Sequence, residues 1–265
     1  MKRKLACLFA FAMIGSAQAG GLPIGKEWVG DKPLPPPYGV GVDFFHMNQG
    51  YEIESLQFSL PGVPAIPGNL VKVESSIQHR DLKFDAWVFP FLNVFALYGK
   101  VNARTDVDLR GVPTAQLGLP PLAVVPVHYQ GNVYGGGLTL AYGGDHWFTS
   151  LTGSWTRTSL SGDFDSSVSS RSLQPRVGYW NGPFSVWVGG QQIKTEEKHA
   201  GSIQLIQGFP PIPFAVTLHE QANWTPMAGA RYVFKNNFEL SAEFGGGERR
   251  TSLVNGTWRW GGGSD

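Results

Sequence analysis

The sequence predicts an all-β chain: a transmembrane antiparallel up-and-down β-barrel of about ten strands, with eight and twelve as the alternatives. Three observations predict it. The first is an alternation of period two between Lys100 and Arg110, where Lys100, Asn102, Arg104, Asp106, Asp108 and Arg110 interleave with Val101, Ala103, Thr105, Val107 and Leu109. Such a period is that of a strand with two chemically different faces. The second is a set of four tight turns, each with aromatic residues beside it. The third is a secretory N-terminus with no later apolar stretch of helical membrane length.

Lys2, Arg3 and Lys4 form a charged n-region, Leu5 to Ile14 a short apolar run, and Ala17-Gln18-Ala19 an A-x-A cleavage pattern. Residues 1–19 therefore read as a signal peptide, the apolar run being too short to span a bilayer. Cys7 is the only cysteine and precedes most of that run, so the mature chain has neither disulfides nor thiolate metal sites. Residues 20–37, with Pro33, Pro35, Pro36 and Pro37, lack strand character and read as an extended periplasmic lead-in. The barrel is expected over 38–260 and a short tail over 261–265. Formal net charge is +1 and charged residues are 15%, with no basic stripe, which argues against a nucleic-acid partner. Abundant glycine (35 residues) and 13% aromatics suit a membrane barrel.

The tight turns are Pro90-Phe91-Leu92-Asn93, Gly143-Gly144-Asp145, Asn181-Gly182-Pro183 and Lys235-Asn236-Asn237. Each joins two alternating runs, the signature of a hairpin. The flanking rings are expected to form a girdle at one barrel rim, because an aromatic with an apolar body and a wettable tip favours the membrane–water boundary. That girdle comprises Phe89, Phe95, Tyr142, Trp147, Tyr179, Trp180, Phe184, Tyr232, Phe234 and Phe238, with Trp258 and Trp260 on the last strand. The connections at the other end are long: Pro61 to Asn69, Gly111 to Pro126, Ser161 to Ser170 and Gly201 to Pro213. Short turns at one end and long loops at the other match periplasmic and extracellular sides. The strands read as roughly 39–58, 70–89, 94–110, 127–142, 146–160, 168–180, 184–200, 214–234, 238–247 and 249–260, uncertain by about 2–4 residues at each end. Several are longer than the ~9–11 residues a tilted spanning strand needs, so their outer halves are expected to project above the membrane.

Alternation assigns the faces. Val186, Val188, Ala228, Ala230, Tyr232, Leu240, Ala242, Phe244, Val254, Trp258 and Trp260 face lipid. Ser185, Gln191, Arg231, Glu239, Ser241, Glu243, Asn255 and Arg259 face the lumen. The A-x-A signal, the alternating strands, the girdle and the final Thr257-Trp258-Arg259-Trp260 resemble the small Gram-negative outer-membrane β-barrels. The resemblance covers nearly all of the mature chain and is architectural. It implies the cell outer membrane as location, with outer-membrane lipid and the outer-membrane assembly machinery as partners. Members of that group usually end on an aromatic residue, whereas Gly261 to Asp265 follow Trp260 here. Either the assembly signal tolerates a tail, or the tail is not native, or the last strand ends elsewhere.

The polar residues expected in the lumen are Asp43, Lys83, Asp85, Lys100, Arg104, Asp106, Asp108, Arg176, Arg231, Glu239, Glu243 and Arg259. A selectivity constriction and a salt-bridged filling are both compatible with them, and buried charges must be paired in either case. Asp106 and Asp108, two residues apart on one face, are similar to the paired carboxylates of outer-membrane aspartyl-type proteases. That chemistry needs a second Asp and a His across the mouth. His128, His199 and His219 lie near outer strand ends, but no run around them matches that family's motifs. An acyl hydrolase built on His46 and a nearby Ser has no specific spacing to support it. No metal spacing, phosphate loop, G-x-S-x-G or dinucleotide fingerprint is present, and no cofactor is expected.

Three long connections are apolar and proline-rich: Leu60 to Pro67, Leu117 to Pro126 and Ile206 to Phe214. They suit a packed cap or a contact surface for an apolar ligand or partner. The functional expectation is a non-enzymatic, narrow or gated pore or carrier for a small apolar solute. A structural or interaction barrel displaying apolar loops is the alternative, and an outer-membrane hydrolase a distant third.

Overall fold

A computed structural model describes residues 21–30, 34–58, 68–112, 123–162, 166–203, 212–220 and 224–261. The proposed signal peptide, Leu60 to Pro67, Leu117 to Leu122 and Ile206 to Pro211 lie outside the described residues.

Among the described residues eleven strand segments follow in order: β1 (Tyr38–Phe58), β2 (Lys72–Phe89), β3 (Leu92–Asp108), β4 (Val124–Gly143), β5 (Trp147–Gly162), β6 (Ser166–Asn181), β7 (Phe184–Ile203), β8 (Ile212–Glu220), β9 (Thr225–Val233), β10 (Phe238–Gly245) and β11 (Arg250–Trp260). Val124 to Pro126 and Ile212 to Phe214, read from sequence as loop ends, belong to β4 and β8. The single strand expected over 214–234 is two segments, β8 and β9, with residues 221–224 between them. Both run back along β7. β9 pairs with its first half, from Phe184↔Tyr232 to Gln191↔Thr225, and β8 with its second, from Glu197↔Leu218 to Ile203↔Ile212.

This split shapes the wall. At the end with the short turns, β1 closes on β11 from Tyr38↔Trp260 to Asn48↔Arg250, giving ten strands around the barrel. Farther out, β1 leaves β11 and pairs with β8 from Tyr51↔Glu220 to Phe58↔Phe214, so β9, β10 and β11 drop out and eight strands remain. Barrel diameter grows with strand number, so the wall narrows outward. Each turn is made by residues suited to it, Gly182 (φ 56) and Asn237 (φ 60) taking the left-handed conformation that a tight hairpin demands. All four short turns lie at the ten-stranded end, the periplasmic one.

The outer surface at this end is apolar. Val42, Phe44, Leu82, Phe84, Val94, Leu138, Leu140, Val177, Val186, Val188, Leu240, Phe244 and Val254 are all exposed. A contiguous apolar band of this extent belongs in lipid, not water. Tyr142, Trp147, Tyr179, Phe184, Tyr232, Phe234, Trp258 and Trp260 rim it on the periplasmic side, Phe238 packing against Phe234. Tyr98, Tyr134 and Trp155, exposed on β3, β4 and β5, rim it on the other side, with Tyr98 opposite Tyr134 in the ladder and Tyr134 edge-on to Trp155.

The sequence reading placed the polar face of β3 wrongly. Gly99, Val101, Ala103 and Thr105 are buried inside the barrel, while Lys100, Asn102 and Arg104 are exposed outside, with Asp106 and Asp108 on the same outer face. Arg104 pairs with Asp106 at 3.0 Å and Arg110 with Asp108 at 2.6 Å. The physical reason is length. Seventeen residues rising about 3.3 Å each, tilted by about 40°, climb roughly 43 Å. The apolar band of such a barrel is about 25 Å tall. Above Tyr98 the outer face of β3 meets water, and its chemistry switches while its direction does not. The carboxylates of Asp106 and Asp108 therefore point away from the interior, which removes the geometry of a proteolytic pair inside the mouth. Two girdle residues are corrected as well. Phe95 stands beside the buried Asp85 in the ladder and Trp180 beside the buried Ser185, so both face the interior.

The lead-in is docked. It carries a 3-10 turn at Lys26–Val29, and the Ile24 amide donates to the Val88 carbonyl at 2.9 Å. The Trp28 ring stacks on Phe89 and Phe91, which stack on each other at 5.5 Å, so Phe89 belongs to the rim through this lead-in contact.

Candidate functional site

The interior holds two regions. The lower one, inside the ten-stranded wall, is a layer of charge. Glu243 on β10 accepts the Arg176 Nε–H at 2.7 Å and a second guanidinium N–H at 3.1 Å, and the Trp187 indole N–H at 2.6 Å. Arg176 also donates to Thr152 and Gln174. Arg259 on β11 bridges Asp85 (2.8 Å) and Glu239 (3.0 Å), and Glu239 lies 3.7 Å from Arg231. Asn93 donates to the same Asp85 oxygen as Arg259. Asp43 accepts from the Asn255 amide and sits 3.9 Å from Lys83.

Strand alternation delivers these groups. Every second residue of β1, β2, β6, β9, β10 and β11 points inward, and the strands paired through β11–β1 bring residues far apart in sequence to one level. Four carboxylates (Asp43, Asp85, Glu239, Glu243) meet four cations (Lys83, Arg176, Arg231, Arg259), so the layer is balanced. Desolvation makes such charges costly unless each is paired and hydrogen-bonded. A layer knitted this way fills part of the lumen with paired side chains and presents no single sign of charge to a passing ion.

The upper region is a cavity of about 200 Å³. Phe45, Met47, Ile77, Leu97, Val101 and Ala103, from β1 to β3, make an apolar wall. Ser154, Thr156, Thr158, Ser170 and Ser172, from β5 and β6, make a hydroxyl wall. Ser154 and Ser172 hydrogen-bond to each other at 2.7 Å. Asp43, His79 and Asp81 supply an acidic patch on the β1–β2 side, with His79 Nδ1 3.8 Å from an Asp81 oxygen. Gln191 and Ile193 line the β7 side. At the tip of the β10–β11 hairpin Arg249 is fully buried, donating to Gln49 at 2.6 Å and to the Ile193 carbonyl.

The sequence reading found the charged layer's residues but missed the cavity. The signal was present: Val101 and Ala103 share their parity with Asn93, Phe95 and Leu97, and the parity of Val94, Ala96 and Tyr98, apolar and thus lipid-facing, already fixed the outward side of β3. Arg249 carried no such signal, because a hairpin tip has no alternation to read. His128 stands on the outer face of β4 and His46 on that of β1; the side chains of His199 and His219 are outside those described.

No protein-family model matches the chain, and no curated protein matches it. Among solved structures it is similar to the toluene transporter TodX of Pseudomonas putida (12% identity, 85% of this chain and 88% of that chain, TM-score 0.35). It is similar too to the outer-membrane protease OmpT of Escherichia coli (8% identity, 84% and 94%, TM-score 0.40) and to the beta domain of the Bordetella autotransporter BrkA (11% identity, 84% and 100%, TM-score 0.41). These are likenesses of barrel shape at low scores. The closed ladder, the apolar outer band and the two aromatic rims carry the assignment: the chain is a ten-stranded outer-membrane β-barrel.

Proposed function

We propose that the protein is a narrow, gated carrier for small solutes with a large apolar part. The observation that carries this reading is the cavity with one aliphatic and one hydroxyl wall, stacked on a layer of paired charges inside the ten-stranded wall. An apolar cavity of about 150 Å³ suffices to hold benzene, so about 200 Å³ suits a molecule of one ring or a short chain. Passage past the charge layer requires its side chains to move, because Arg176 on β6 reaches Glu243 on β10 and Arg259 on β11 reaches Asp85 on β2 over the strands between them. Catalysis is not assigned to any residue. Outer-membrane lipid surrounds the apolar band, and the closing strand β11 is the segment through which the assembly machinery would engage the chain.

Two measurements on one preparation test the proposal. In planar bilayers, steady ionic conductance is expected to be small or absent. In proteoliposomes, uptake of a small neutral aromatic solute is expected to exceed that of protein-free vesicles. A large, steady, ohmic conductance overturns the reading, and so does uptake equal to that of protein-free vesicles.

A further inference from the structure

Resting on the carrier reading, we infer that the cavity selects solutes bearing a hydrogen-bond donor, neutral or cationic, and rejects carboxylates. Asp81 is 6% exposed and lines the cavity; its Oδ1 is enclosed against Gly99 with no hydrogen-bond partner among the described residues, so Oδ2 is the oxygen left for a solute. Its other oxygen has only His79 at 3.8 Å, beyond a hydrogen bond. Gln191, also 6% exposed and lining the cavity, has an unpartnered carbonyl oxygen, Oε1. Both free groups are acceptors.

A buried acceptor left unpaired is costly. Ser154 and Ser172 satisfy each other, and Thr105 is taken by Ser75 and Tyr129, each at 2.6 Å. Asp43, the second carboxylate on the acidic patch, is committed to Asn255 and faces Lys83. A solute that lays its apolar body on Phe45, Ile77, Leu97 and Val101 and brings an O–H or N–H to Asp81 uses both kinds of surface at once. An anionic solute would instead place its charge beside two carboxylates. A site built to accept a hydrogen bond discriminates against an isostere that lacks the donor more strongly than an apolar pocket discriminates by size.

The test uses the full chain in lipid nanodiscs, with empty nanodiscs as the blank, and titration calorimetry of four probes of similar size: toluene, benzyl alcohol, benzylamine and benzoate. Benzyl alcohol and benzylamine are expected to bind a few-fold to about tenfold tighter than toluene, the difference one buried hydrogen bond brings. Benzoate is expected not to bind. Asp81→Leu is expected to reduce benzyl alcohol to the level of toluene and to leave toluene unchanged. Asp81→Asn keeps an acceptor in the same shape, so it is expected to retain benzyl alcohol and to lose the advantage of benzylamine; it decides the matter if the leucine variant does not fold. Toluene or benzoate binding as tightly as benzyl alcohol overturns the donor selectivity and leaves the carrier reading standing. Binding by none of the four overturns the carrier reading itself.

Discussion

Arg176 and Glu243 meet across the interior from strands that are not neighbours in the wall: β7 and β9 lie between β6 and β10, yet two hydrogen bonds of 2.7 and 3.1 Å join the guanidinium to the carboxylate. The pair is a brace between two distant strands. Both side chains are largely buried, so removing one partner strands the other. Glu243→Leu is expected to destabilise the barrel by about 3–5 kcal/mol, and the double variant with Arg176→Met to recover most of that loss. Thermal unfolding in detergent, followed by heat-modifiable migration, checks both. A double variant whose loss equals the sum of the two single losses would show that the two charges do not depend on each other.

The switch on β3 predicts a contrast along one face of one strand. Ala96 and Asn102 both point outward, three turns of the pleat apart, with Tyr98 between them. Ala96→Arg places a cation against lipid and is expected to cost up to about 2–4 kcal/mol in refolding into vesicles, depending on depth. Asn102→Arg is expected to change stability by no more than about 0.5 kcal/mol, since its surroundings are water. Equal losses at the two sites would place the membrane boundary elsewhere.

On the β10 strand the same logic separates adjacent residues. Ala242 lies on the outer face between Leu240 and Phe244, and Ser241 on the inner face beside Arg231 and Asn255 in the ladder. Ala242→Arg is expected to impair folding into bilayers more than Ser241→Arg, which enters a polar lumen. Refolding yields into lipid vesicles compare them directly; a greater loss for Ser241→Arg would reverse the face assignment.

The lead-in is expected to contribute through Trp28. Its stacking on Phe89 and Phe91 is of a kind worth about 0.5–1.5 kcal/mol beyond the area it covers. Trp28→Ala should lower the unfolding temperature in detergent, and Trp28→Phe should restore most of it. No change in either variant would mean that the segment docks through its backbone bonds to β2 alone.

Asp108 offers a pH readout above the membrane. Side-chain hydrogen bonding from Arg110 leads the causes that hold its carboxyl down at about 2, below the ordinary value near 3.8. A carboxyl lowered on folding stabilises the folded state above its unfolded pKa and loses that contribution as pH falls through the folded one, here between about 4 and 2. A carboxyl titration by NMR should place Asp108 in that low range, and Arg110→Ala should return it to the ordinary one. An ordinary value in the unsubstituted protein would rule out the Arg110 interaction as drawn.

Strand alternation, turn chemistry and the ring-flanked hairpins determine most of this barrel from local sequence: nine of the ten expected strands are single segments, and Asp43, Asp85, Arg176, Glu239, Glu243 and Arg259 lie on the inward parity of their strands. These features are local, each set by the period of two and by the residues that permit a tight turn. Tertiary structure decided what local pattern leaves open. A polar face tells which side of a strand meets polar surroundings, not whether they are a lumen or the water above a bilayer, and Lys100 to Asp108 met the second. The break between β8 and β9, the narrowing from ten strands to eight, the burial of Arg249 and the pairing of Arg176 with Glu243 depend on which strands lie across the barrel from one another. That relation is fixed by closure of the whole sheet, through β1 on β11 and on β8, and no window of sequence contains it.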